Sequence, residues 1–148
     1  MKKFFILSII IAAQILSGCG ENSADKNIPA KKHFDLVGVK DGNYTAESSR
    51  DEKLGKSILN LTINGGKITN AEFTGYDLFG NEKNESYGSM LSEGDYKKAQ
   101  IAAKAIKIYP QQLLETQNLD EVDAISGASI SYSQFVETVN KAVEDAKK

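Results

Sequence analysis

The chain has 148 residues, a length typical of one domain. Charged residues make up 26% of it and hydrophobic residues 41%, a globular balance that excludes wholesale disorder. The formal net charge of −2, from 18 basic and 20 acidic side chains, argues against nucleic-acid binding, which needs a basic surface. A single cysteine, Cys19, excludes an internal disulfide. A single histidine, His33, excludes a multi-histidine metal site and any catalytic triad that does not use it.

The N-terminus has the pattern of an export signal. Lys2 and Lys3 precede residues 4–16, which are almost wholly apolar (FFILSIIIAAQIL). A helix of that length spans about 20 Å at 1.5 Å per residue, well short of the ~30 Å hydrocarbon core of a bilayer. The segment therefore fits the apolar region of a secretory signal better than a transmembrane span.

The signal ends in Leu16-Ser17-Gly18-Cys19, which resembles the lipobox of bacterial lipoproteins. The resemblance implies a signal peptide over residues 1–18, cleavage before Cys19 and a lipid attached to its sulfur. Residues 19–33 are polar and lack hydrophobic periodicity, which predicts a flexible tether. The expected location is the extracytoplasmic side of a bacterial membrane, at the cell surface or in the periplasm. An ordinary signal peptide with an incidental cysteine is the alternative.

The predicted domain occupies residues 34–148 and opens with strands. Residues 43–49 form a first predicted strand. Residues 57–64 alternate between apolar and polar side chains, and the turn signal Asn64-Gly65-Gly66 joins them to a partner strand over 67–74. The side chains expected on one face are Leu59, Leu61 and Ile63 in the first strand of this hairpin, and Thr69, Ala71 and Phe73 in the second.

A long polar loop is predicted over residues 75–94, which carry little regular pattern. Loops of this length inside a compact domain are often functional. Three aromatic residues lie in it, Tyr76, Phe79 and Tyr87. They are expected to attach the loop to the core, with contact to a flat ligand as the alternative.

Two helices complete the chain. Asp95 is predicted to cap a helix that runs to Ile108 and that Pro110 breaks or restarts. The pattern Ser131-Tyr132-Ser133-Gln134 resembles a capping box and predicts the start of the last helix. The apolar stripes are Tyr96, Ala99, Ala103 and Ile106 in the first helix, and Phe135, Val139, Ala142, Val143 and Ala146 in the last. The predicted class is α+β, with a twisted antiparallel sheet built around the hairpin and packed against C-terminal helices.

Small and hydroxyl residues cluster just before the last helix. Gly127 permits close backbone approach, and Ser126, Ser129 and Ser131 offer hydroxyl groups. The N–H groups at a helix start attract anions, so the segment is a candidate phosphate site. On these residues alone, an ordinary turn followed by a helix cap is the favoured explanation.

The segment Asp123-Ala124-Ile125-Ser126-Gly127-Ala128-Ser129 resembles the flavinylation motif of FMN-binding domains. Two earlier features of those domains are also present, Asp41-Gly42-Asn43-Tyr44 and Gly66-Lys67-Ile68. The resemblance spans residues 41–146. Its relatives include flavinylated subunits of Rnf-type and sodium-pumping NADH:quinone oxidoreductase complexes, and small membrane-anchored, immunogen-like lipoproteins, the branch that this chain resembles most.

The resemblance implies an FMN joined covalently through its phosphate to Ser129. A flavin transferase that uses FAD and a divalent metal would make this bond. Ser126, Gly127 and Ala128 would shape the phosphate pocket, and Asp123 would be read by the transferase. The family's usual acceptor is threonine, and serine retains the hydroxyl group.

The expected function is therefore electron transfer by a lipid-anchored flavoprotein, between an unidentified membrane donor and an acceptor outside. The sequence offers no cysteine cluster or haem motif for a second cofactor. No strong catalytic base is evident either, which favours a flavin carrier over an independent enzyme. The alternative is a cofactor-free surface lipoprotein with a binding or structural role.

Overall fold

The computed structural model describes residues 34–148. The predicted signal peptide (1–18), the predicted lipidation site Cys19 and the predicted tether (19–33) lie outside the described residues. In the part that is described, none of the helices combines the length and apolar character needed to cross a bilayer.

Three strands form one antiparallel sheet in the order β1-β2-β3. They are β1 (Gly42–Glu47), β2 (Lys56–Asn64) and β3 (Lys67–Tyr76). Gly65 and Gly66 join β2 to β3 with φ of 60° and 70°, the left-handed pair that a tight hairpin turn requires. The predicted hairpin is confirmed.

One face of this sheet is buried, but an irregularity changes which residues of β3 point inward. Thr62 pairs with Asn70 and Ile63 pairs with Ile68, so Thr69 is the extra residue of a bulge. Ile68 is therefore buried and Thr69 is exposed. The prediction that Thr69 shares a face with Ala71 and Phe73 is wrong, because one extra residue moves the side chains before it to the other face.

Helix α1 (Glu93–Thr116) follows a loop over residues 77–92 and is longer than predicted. Its N-cap is Ser92, whose hydroxyl accepts the backbone N–H of Asp95 at 3.3 Å, so the predicted capping role of Asp95 is wrong. Pro110 lies inside the helix, although it removes one helical hydrogen bond. Tyr109 and Leu113 flank it in the core, and their burial offsets the lost bond.

Helix α2 (Ser129–Ala146) follows a short 3₁₀ turn at Leu119–Glu121. It begins at Ser129 rather than at the predicted capping box, and Gln134 is buried far from any capping position. The predicted apolar stripe of α2 is buried throughout.

The two helices form a layer against the sheet. Helix α1 packs on β3, and α2 packs on β1 and β2. Phe135 of α2 lies at the centre, with its ring centroid 5.0 Å from Phe73 and 5.6 Å from Tyr109. The predicted α+β class, an antiparallel sheet packed against C-terminal helices, is confirmed.

Candidate functional site

The residues of the predicted motif lie on the segment that enters α2. Asp123 and Ser126 are exposed, and Gly127 turns the chain with φ of 84°. Ala128 is buried, and Ser129 is half-buried as the first residue of the helix. The structure therefore brings Ser126 to Ser129 into one turn at the helix start, and it leaves Asp123 in the extended stretch before that turn.

Two buried tyrosines hold this segment in place. The Tyr109 hydroxyl accepts the Ile125 N–H at 3.3 Å and donates to the Ala128 carbonyl at 3.4 Å. The Tyr132 hydroxyl donates to the Val122 carbonyl at 3.0 Å. Burial raises the pKa of Tyr109, against the opposing effect of the Ile125 N–H, so its hydroxyl remains a donor at neutral pH.

The sequence pattern predicts that the first helix stops at Ile108, so it does not identify Tyr109 as part of the site. The spacing from Ile106 to Tyr109 continues the apolar stripe of α1, and this spacing was the signal available in the sequence.

The start of α2 has no side-chain cap. Its N-cap residue is Ala128, and its first turn contains no acidic residue. Within residues 34–148 no hydrogen bond engages the Ser129 hydroxyl. The first N–H groups of a helix lack partners inside the helix and carry a partial positive charge, so they favour an anion. A phosphate group fits this donor set.

An open groove of about 520 Å³ borders the helix start. Its lining includes Ile130, which directly follows Ser129, and the turn before β2. The volume is in the range of cofactor and ligand pockets. The residues that line it are Arg50, Asp51, Glu52, Lys53, Leu54 and Ile130. Residues 50–54 carry no motif, so the sequence predicts no role for them.

The turn that forms the groove wall is closely held. Asp51 and Gly55 exchange backbone hydrogen bonds of 2.7 and 3.0 Å, and the Asp51 carboxylate accepts the N–H groups of Lys53 and Leu54. Gly55 has φ of 80°, and a Cβ there would lie 2.3 Å from the Tyr76 carbonyl oxygen. Only glycine fits, so the wall rests directly on the end of β3.

A buried polar chain joins this wall to α2. The Ser57 hydroxyl donates to Gln134 Oε1 at 2.7 Å, and Gln134 Nε2 donates to the Gly55 carbonyl at 2.9 Å. Gln134 lies one helical turn after Ile130, so these bonds fix the width of the groove.

Glu137 supplies a second connection, further along α2. Its carboxylate accepts the Ser49 N–H at 3.0 Å and the Ser49 hydroxyl at 2.7 Å, and it pairs with Lys141 at 2.8 Å. Partial burial tends to raise the pKa of Glu137, but the bonds from Lys141 and Ser49 outweigh burial and lower it. Glu137 is therefore ionised at neutral pH and holds α2 against the segment that follows β1.

The three loop aromatics have different surroundings. Tyr76 and Tyr87 are half-buried, whereas Phe79 is 90% exposed. The expectation that Phe79 attaches the loop to the core is wrong, because the tight turn that Asp77 forms with Phe79 and Asn81 directs the phenyl ring outward.

Comparison with known proteins agrees with the motif. The family model of the FMN-binding domain matches residues 55–144, from the groove wall through most of α2. A crystal structure of the CPE2226 protein from Clostridium perfringens is 28% identical, with a TM-score of 0.58, over 74% of this chain and 89% of that one. A solution structure from Clostridium thermocellum is 25% identical over 74% and 93% of the two chains, with a TM-score of 0.45. No curated protein matches. Because the family model covers more than half of the sequence and includes the whole motif, the chain belongs to the FMN-binding domain family.

Proposed function

We propose that this protein is a lipid-anchored, extracytoplasmic electron carrier whose FMN is joined through a phosphoester to Ser129. Family membership supports flavin binding. The observation that carries the attachment site is the Ser129 hydroxyl, which no residue of 34–148 engages, at an uncapped helix start beside an open groove.

The attachment reaction balances with FAD as the donor. The Ser129 oxygen forms a bond to the phosphorus on the FMN side of FAD and loses its proton, while the bond to the AMP phosphate breaks and AMP leaves. A flavin transferase with a divalent metal would carry out this step. Serine serves as well as threonine here because the reacting atom is the hydroxyl oxygen.

The residues around Ser129 have separate roles in this proposal. The first N–H groups of α2 stabilise the phosphate, and Gly127 lets the backbone approach it without a side chain in the way. Tyr109 and Tyr132 position the segment through their bonds to it. Asp123 is exposed and accessible to the transferase. FMN itself supplies the capacity to accept and release one or two electrons.

The groove is proposed to receive the part of FMN beyond the phosphate. Arg50 and Lys53 place positive charges along it and Asp51 and Glu52 place negative ones. Ile130 and Leu54 supply apolar surface. The hydrogen bonds of Gln134 with Ser57 and Gly55 hold the two sides of the groove at a fixed separation. A covalent bond would keep the flavin at this groove at a high effective concentration outside the cell, where a free flavin would be diluted.

The anchor is proposed to be the lipid on Cys19, after removal of residues 1–18, with residues 19–33 as the tether. Two or more acyl chains hold a protein stably at a membrane, whereas one does so marginally. The donor and the acceptor are proposed to meet the flavin on the extracytoplasmic side.

The test is the intact mass of the full chain, exported together with a flavin transferase. The mature wild type should gain the mass of FMN minus one water, and S129T should gain the same. S129A should gain nothing, while the control S89A, which changes an exposed loop serine outside the motif, should be loaded. An unmodified wild type that also fails to bind added FMN would refute the proposal and favour a cofactor-free binding protein.

Lipid attachment is tested separately with C19A. The wild type should partition into detergent with the membrane fraction, and C19A should be released from it. Equal partitioning of the two chains would refute the anchor.

A further inference from the structure

A buried lysine lies behind the groove wall. Lys83 is 4% exposed and is the one charged side chain among the buried residues of 34–148. Its backbone N–H donates to the Gly75 carbonyl at 2.8 Å. A Cβ at Gly75 would lie 3.1 Å from Lys83 Cδ and 2.6 Å from Ile106 Cδ1, so the absence of that side chain makes room for the lysine stem.

No carboxylate of the described residues contacts this ammonium group. Within residues 34–148 no carboxylate lies within 4.0 Å of Lys83 Nζ, and its nearest recorded partner is the Tyr87 ring, with the centroid at 5.6 Å. Asp51 and Asp77 act on it only through space, because their carboxylates accept backbone N–H groups of their own turns. Burial lowers the pKa of Lys83, and the charges of these two aspartates oppose that effect. A buried cation without a contacting anion destabilises the protein, so the group points to a missing partner.

The surroundings of Lys83 are shared with the groove. Gly55 of the groove wall packs on the backbone of Tyr76 and Asp77. These two residues directly follow Gly75, the strand residue against which Lys83 lies. Ser57 lies beside the same Gly75 and donates to Gln134, one turn below Ile130. Lys83 therefore lies against the inner side of the wall that lines the groove.

We propose that Lys83, which lies across the groove wall from the isoalloxazine ring of the FMN held at Ser129, stabilises through space the negative charge that this ring gains on reduction. This inference rests on the proposed function. The ring is a better partner than the phosphate, because the phosphate would be fixed at the start of α2. Lys83 instead lies against Gly75, close enough to Asp51 of the groove wall for the charge of that carboxylate to act on it. Lys83 would then be a positioning and electrostatic residue that sets the reduction potential of the flavin.

The experiment measures the reduction potential of the loaded full chain for wild type, K83M, K83Q and K83R. At a fixed solution potential the ratio of reduced to oxidised flavin should fall about tenfold in K83M and K83Q, equal to about 30 mV for a two-electron couple. K83R should remain close to wild type. K104M, which removes an exposed lysine of α1, is the matched control and should leave the ratio unchanged. Two neutral variants are used so that a folding defect in one leaves the other to decide.

Unchanged potentials in both neutral variants, with full flavin loading, would overturn the inference alone. A wild-type chain that lacks the mass gain and does not bind FMN would refute the proposed function and the inference together, so the two failures are distinguishable by mass.

Unfolding of the flavin-free chain gives a second readout. In the S129A background, K83M should raise the unfolding midpoint because it removes a buried charge. In the flavin-loaded chain, K83M should raise the unfolding midpoint less, because the FMN then interacts with the charge of Lys83. An equal loss of stability in the two states would mark Lys83 as a purely structural residue and overturn the inference.

Discussion

The two helices of this protein begin in opposite ways. Helix α1 starts with Ser92, which caps the Asp95 N–H and bonds its carboxylate at 2.9 Å, and it has Glu93 and Asp95 in its first turn. Helix α2 starts with Ala128, has no side-chain cap and carries no acid in its first turn. Both have a positive helix dipole at this end, but α1 neutralises it with its own side chains. In α2 no side chain of the first turn neutralises the dipole, so its favourable interaction with a negative charge remains available to a bound anion.

An uncapped helix must be held by other contacts, and this explains the polar bonds along α2. Gln134 ties it to Ser57 and Gly55, and Glu137 ties it to Ser49. Helix α1 has no need of such connections at its start. The difference indicates that α2 is positioned from its middle, which leaves its first turn accessible.

The largest expected effect comes from breaking one of these mid-helix contacts. E137Q should lower the free energy of unfolding by about 2 kcal/mol at neutral pH, because bonds to a charged group become bonds to a neutral one. The pKa of Glu137 is lowered in the folded state, so its contribution is present above the unfolded pKa of about 4.3 and is lost as pH falls through the folded value. Denaturant unfolding at pH 7 and near pH 3 should show that wild type and E137Q converge in acid. E72Q, on the exposed face of β3, is the control, and a pH-independent difference would contradict the linkage.

Gly127 and Gly65 offer a matched pair for the turn before α2. Both have positive φ, 84° and 60°, and a Cβ at either would meet nothing closer than 3.4 Å. Alanine at each should lower the free energy of unfolding by about 1 kcal/mol through backbone strain. Only G127A should also reduce flavin loading, measured by intact mass, because only Gly127 lies at the proposed phosphate site. Equal loading of the two variants would show that the turn has no part in the site.

Removal of the α1 cap should affect stability alone. S92A should lower the free energy of unfolding by about 1 kcal/mol, since the Asp95 N–H loses its acceptor. Flavin loading should be unchanged, because α1 begins outside the groove. S89A, which changes an exposed loop serine, should leave both quantities unaffected. A loss of loading in S92A would contradict the separation of the two helix starts.

A carboxylate placed at the start of α2 should make it resemble α1. S129D should raise the stability of the flavin-free chain by about 0.5 kcal/mol relative to S129N, through interaction with the helix dipole. Neither variant should gain the mass of a flavin. Thermal unfolding at low and high salt provides the check, because the gain should shrink at high salt. A salt-independent difference would argue against an electrostatic origin.

The local patterns of the sequence predicted most of the elements. Alternation in β2 and the Asn64-Gly65-Gly66 turn identified the hairpin, because a two-residue turn and a period of two are local properties. The apolar stripe from Phe135 to Ala146 identified α2 in the same way. The bulge at Thr69 was missed, since it depends on how two strands pair and not on either strand alone.

The candidate site divides along the same line. The motif from Asp123 to Ser129 is contiguous in the sequence, so it could be identified without the structure. The beginning of α2 was misplaced because Gln134 appeared able to cap the helix locally, whereas its partner Ser57 lies 77 residues earlier. The groove wall over residues 50–54 and the buried Lys83 carried no signal in the sequence.

The sequence by itself determined where the hairpin turns, which helix faces are apolar and that Ser129 occupies the acceptor position of the motif. Each of these properties depends on residues that are neighbours along the chain. The tertiary structure alone decided that the charged turn over residues 50–54 forms a groove beside the start of α2. It also decided that Lys83 is buried with no carboxylate of residues 34–148 in contact with it. Those properties arise from packing between segments distant in sequence, Gly55 on Tyr76 and Lys83 on Gly75, where glycine leaves the space that a side chain would otherwise fill.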